Sequence, residues 1–182
     1  FNGAGAVTVP GTARSAVFNV GNSGAIVTAT GLMTGTVNYT ADGTLTANGG
    51  ITGAVTTNTN NTGTLNLVGP VTGAVGASGL ALKAVKFNAG ASALSSTANA
   101  QTFTVASATA AVTATGLMTG AVNYTADGTL TANGGITGAV TTSANNTGTL
   151  NLVGTVTGSV GTGALALKAV KFNAGASALS ST

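Results

Sequence analysis

The sequence predicts an all-β fold: a right-handed parallel β-helix, a solenoid of roughly 18- to 20-residue coils. Three observations carry that expectation. Short runs alternate apolar and polar residues with period two, as strands with one buried face do. Asn-Gly, Asp-Gly and Gly-Pro pairs, which mark turns, bound the runs. The runs also recur at nearly constant spacing, the mark of a stacked repeat architecture. No stretch keeps the apolar spacing of a capped helix.

Two periods are nested. Residues 27–97 and 112–182 align without gaps at an offset of 85 and differ at only eight positions. The flanks agree more loosely, with Phe18 and Val20 in step with Phe103 and Val105. Residues 1–182 therefore read as one β-helix segment of a tandem array, entered and left in mid-repeat. A start at Phe1 rather than Met reads as a chain processed or cut from something longer. Inside each copy, VTATGLMTG (27–35), LTANGGITG (45–53) and LNLVGPVTG (65–73) align at offsets of 18 and 20. Val85-Lys86-Phe87 continues the series at a further offset of 20, and Val112 follows Val85 at an offset of 27. The segment 88–111 reads as an irregular coil or a bulging loop.

Stacking of these phrases, one rung every ~4.8 Å, predicts columns. Val27, Leu45, Leu65 and Val85 form one inward column, and Ala29, Ala47, Leu67 and Phe87 its neighbour. Met33, Ile51 and Val71 follow on a second strand, then Val37, Val55 and Val75. All are apolar, whereas the outward column Thr28, Thr46, Asn66, Lys86 is wholly polar. Asn48-Gly49-Gly50 supplies a corner, and Gly35, Gly53 and Gly73 mark a bulge or another corner. The competing all-β reading, two tandem immunoglobulin-like sandwiches, gives no reason for a 20-residue internal period.

Composition agrees with a narrow core. Hydrophobic residues are 43%, mostly Ala and Val, and aromatics only 4%. Charged residues are 4%, against about 25% in ordinary soluble domains. Disorder combines low hydrophobicity with high net charge, and this chain has neither. Arg14, Lys83, Lys86, Lys168 and Lys171 against Asp42 and Asp127 give a net charge of +3. Five dispersed cations are no phosphate-binding face, so no nucleic-acid partner is expected. No run of about 20 apolar residues offers a transmembrane helix.

Catalytic, cofactor-binding and metal sites are all expected to be none. With no His and no Cys, a triad, an imidazole site and a thiolate site lack their ligands. Asp42 and Asp127 are equivalent turn residues, expected four coils or about 19 Å apart at the strand spacing. That exceeds the roughly 5–9.5 Å of paired catalytic carboxylates. Lys83 and Lys86 recur as Lys168 and Lys171, either as a spaced cationic stripe or as solvated residues on a neutral surface; the second reading is preferred. Thr34, Thr52 and Thr72 suggest an ice-binding column, but its neighbour runs Thr36, Ala54, Ala74, so the flat double array is missing.

The stretch GTLNLVGPVTGAVGASGLALKAVKFNAGASAL (63–94), whose phrase order appears in both copies, resembles the rickettsial surface cell antigens, outer-membrane proteins A and B. The resemblance lies in the order G-T-L-x-x-x-G-x-V-T-G-x-V-G, then L-K-x-V-x-F-N-A. It implies an autotransporter passenger, secreted to the bacterial surface and engaged in host-cell adhesion or a surface layer, with an anchoring barrel outside these residues. It supplies no catalytic positions. The expected function is thus a non-enzymatic, extracellular structural or adhesive passenger whose partner is a host-cell surface. The alternative is a subunit that assembles with copies of itself into a filament or layer.

Overall fold

The computed structural model describes residues 1–175 and 177–180, and among them there are strands and turns but no helix. Strands pair in parallel with the strand one coil further on. The result is a β-solenoid of about nine turns, roughly 43 Å long at ~4.8 Å per rung. Parallel strands need a crossover, and here the rest of the coil provides it.

Each coil has three faces, and each face stacks an inward apolar column. On the first face the column runs Val7, Val27, Leu45, Leu65, Val85, Phe103, Val122, Val140. The second runs Ala13, Met33, Ile51, Val71, Leu94, Ala114, Ala132, Leu152. The third runs Phe18, Val37, Val55, Val75, Ala98, Met118, Ile136, Val156. From the second rung inward, nearly all of these side chains are sealed from solvent and belong to one continuous core. All the columns expected from the sequence within the first copy are present, and the outward ladder Thr28, Thr46, Asn66, Lys86 pairs as expected. A sandwich, built from antiparallel sheets, is not what the chain forms.

Glycine sets the bend between the second and third faces. Gly35 and Gly53 have φ of +134° and +146°, in the region that favours glycine. A Cβ on Gly53 would lie 2.3 Å from the Gly35 carbonyl oxygen, and one on Gly73 would lie 2.5 Å from the Gly53 carbonyl carbon. These glycines are half-buried at a corner rather than inward, and they let successive backbones touch.

The segment 88–111 corrects the sequence reading. It forms neither a loop nor the next in-phase coil. Its strands Ala91–Leu94 and Ala98–Val105 lay down a second, a third and a further first face. Val85 therefore stacks on Phe103, and Val112 stacks on Ser92, one face further round. One 85-residue repeat spans four coils and one face. Equivalent positions obey this shift throughout: Val27 lies on the first face and Val112 on the second, Met33 on the second and Met118 on the third, Val37 on the third and Val122 on the first.

Candidate functional site

Polar chemistry concentrates at one corner of each copy. In the first copy the corner lies between the third and first faces, where the chain turns from Tyr39 to Thr44. Tyr39 continues the inward alternation of Val37 and is fully buried. Its hydroxyl donates to the Thr64 carbonyl at 2.8 Å. Gly63 lies flat on the ring, and a Cβ there would be 2.3 Å from Tyr39 Cγ. Burial pushes the Tyr39 phenol far above its ordinary range, so it stays a neutral donor. Thr57, also buried, donates to the Thr59 carbonyl at 2.8 Å and shapes the following loop.

Outside this knot, Asp42 ties three successive coils together. Its Oδ1 accepts from the Gly63 amide at 3.1 Å and its Oδ2 meets Lys83 Nζ at 2.6 Å. The Lys83 hydrogen bond holds the Asp42 carboxyl below its ordinary value; partial burial opposes it, and the Gly63 amide and the lysine charge add lesser lowering effects. Both side chains remain substantially exposed, 39% for Asp42 and 51% for Lys83. The tie is therefore a solvated clamp across rungs, of the kind that contributes little stability alone.

The second copy repeats every contact. Tyr124 donates to Thr149 at 3.0 Å, Gly148 covers its ring, and Asp127 meets the Gly148 amide at 3.2 Å and Lys168 at 2.6 Å. This corner, however, lies between the first and second faces. Asp42 and Asp127 are thus four coils and one face apart, on different corners, which replaces the expected in-line spacing. Each is engaged with a lysine, and among the described residues neither lies near a second carboxylate.

The remaining residues singled out from the sequence are likewise separated. Lys86 projects from the first face and Lys171 from the second, so the cationic stripe does not form. Thr34, Thr52 and Thr72 stand on the second face, whereas Thr119, Thr137 and Thr157 stand on the third. Among the described residues, no three His, Cys, Asp or Glu come together as metal ligands. No described helix is long and apolar enough to cross a membrane.

One concavity was not legible beforehand. A shallow, uncharged groove of about 500 Å³ lies on the third face beside the loop at Gly76, Ala77 and Ser78, with Thr97, Asn99 and Leu117 opposite. It joins the two copies, since Leu117 belongs to the second. The Tyr39–Gly63 knot was also missed, although its signal was present: Tyr39 keeps the alternation begun at Val37, and the Gly-Thr-Leu phrase follows one coil later. In comparison with known proteins, no family model, no curated relative and no solved structure matches the chain.

Proposed function

We propose that this chain is a non-enzymatic structural or adhesive passenger on a bacterial surface, presenting the sides of a stiff rod to a host-cell surface. The observation that carries the reading is the unbroken three-column core under outward ladders of Thr and Asn, such as Thr46, Asn66 and Thr104. Solenoids of this kind extend by adding repeats and expose long lateral surfaces. The ordered polar groups hold the coils together: Asp42 and Asp127 are paired with lysines, and the buried tyrosines donate to backbone. The resemblance to the rickettsial surface antigens supports the location and the partner.

The direct test is binding of purified, labelled chain to cultured host cells, with sedimentation of the same sample. Saturable binding by a monomer supports the reading, and binding no better than that of an unrelated solenoid overturns it. A second reading, a subunit of a filament or surface layer, has one observation in its favour. The two ion pairs leave few uncompensated charges, so little repulsion opposes self-association. Concentration-dependent polymers without cell binding would support it.

A further inference from the structure

One segment of the repeat occurs three times, and only its middle occurrence has neighbours on both sides. Residues 87–95 and 172–180 are identical, FNAGASALS, and residues 1–9 are the related FNGAGAVTV. In the middle of the rod, Asn88 N donates to the Leu67 carbonyl and Leu94 bridges to Val71, both in the rung before. From the rung after, Ala106 N donates to the Phe87 carbonyl at 2.9 Å, and Ala114 pairs with Leu94. Phe87 and Leu94 are sealed, at 0% and 1% exposure.

Each end of the rod carries one half of this arrangement. At the last rung, Asn173 N donates to the Leu152 carbonyl and Leu179 pairs with Val156, as Asn88 and Leu94 do, but no described strand covers them. Phe172 and Leu179 are left 57% and 47% exposed. The first rung shows the other half. Gly21 N donates to the Phe1 carbonyl at 3.0 Å, the counterpart of Ala106 on Phe87. Val9 pairs with Ala29 as Leu94 pairs with Ala114, and no described strand lies beneath. Residues 1–9 thus hold from one side the place that 172–180 hold from the other.

We infer that this chain joins head to tail with a second molecule of itself by strand exchange: residues 172–180 of one molecule displace residues 1–9 of the next and complete its first rung. Residues 172–180 are the better occupant, because they are identical to 87–95, which already sit in that place in the middle of the rod. Ala169–Phe172 then pairs with the next molecule's Val17–Val20, as Ala84–Phe87 pairs with Thr102–Val105. Exchange carries Phe172 and Leu179 to the surroundings in which Phe87 and Leu94 are sealed, and so removes apolar surface from water. The two ends differ, so the contact is heterologous and prolongs the rod into an open filament. The inference rests on the second reading above, the self-assembling subunit, and names its partner and interface.

The chain has no cysteine, so introduced pairs on the full chain test the exchange. Thr8 and Thr28 are partners on neighbouring strands, ~4.8 Å apart and within disulfide reach. Oxidised Thr8→Cys/Thr28→Cys locks residues 1–9 in place. It is expected to lose the concentration-dependent polymers that the parent and the reduced variant form in sedimentation. In the exchanged form Ala178 of the neighbouring molecule replaces Thr8 beside Thr28, as Ala93 lies beside Thr113. Within one molecule Thr28 and Ala178 lie at opposite ends of the rod. Oxidised Thr28→Cys/Ala178→Cys is therefore expected to give a ladder of covalent multimers on a denaturing gel. Polymers that survive the lock and form no bridge between positions 28 and 178 would overturn the exchange and leave self-assembly standing. An unlocked chain that stays monomeric at every concentration would overturn both.

Discussion

Val85 lies beside Phe103 in the parallel ladder, not beside Val112. Val112 opens the next copy of the repeat yet stacks on Ser92, on a different face. From that displacement follow the separation of the two aspartates and the dispersal of the lysines.

Ser92 and Ser177 occupy the same place in the two copies and are expected to respond oppositely to alanine. Ser92 Oγ is buried with no hydrogen-bond partner among the described residues. Ser177 Oγ donates to the Leu152 carbonyl at 3.0 Å. An unpaired buried hydroxyl carries a desolvation cost of about 1–3 kcal/mol, so Ser92→Ala is expected to leave stability unchanged or raise it. Ser177→Ala should lower it by about 1 kcal/mol. Chemical denaturation of both variants checks the pair of signs.

Gly63→Ala is expected to destabilise by more than about 1 kcal/mol, because its φ is +88° and the new methyl would enter the Tyr39 ring. Gly163→Ala, where a Cβ meets nothing within 4 Å, is expected to stay within about 0.5 kcal/mol of the parent. Thermal melts of the two variants separate a close approach from mere glycine content.

Acid should loosen the corners. The lysine hydrogen bonds lower the Asp42 and Asp127 carboxyls below 3.8. Their contribution is therefore complete above pH 3.8 and disappears as pH falls through the lowered folded values. The melting temperature of the parent is expected to drop in that acidic window more than that of Asp42→Asn/Asp127→Asn. Identical acid profiles would show that the ties carry no pH-dependent stability.

Much of the fold was legible because inward and outward residues differ so plainly in the first copy. Leu45 and Ala47 against Thr44 and Thr46 leave one choice of face, and the 18- and 20-residue echoes leave one choice of partner. The phase of the second copy was not legible, because near-identity drew Val112 into register with Val27. The strand that breaks this register, Ala91–Leu94, lies in an Ala- and Ser-rich stretch, 88–100, that blurs the rung count. At the corners, the Asp-Gly turns were visible. The lysines they bind lie 41 residues away, a distance that only the stacked coils make short.

Deleting residues 91–97 brings Val112 to an offset of 20 from Val85, the offset that already makes one coil from Val7 to Val27. The variant is expected to fold as a solenoid with the two copies in phase, placing Val112 on Val85 and Lys171 in line with Lys86. Spin labels at positions 86 and 113 should then report adjacent rungs.

The same labels on the unmodified repeat test the central claim most directly. Continuous-wave EPR of frozen Lys86→Cys/Thr104→Cys is expected to show strong dipolar broadening, since these residues pair on neighbouring strands, ~4.8 Å apart. Lys86→Cys/Thr113→Cys is expected to show none, because Thr113 lies on the second face. Broadening in the second pair and not in the first would mean that the copies stack in phase, and would contradict the account.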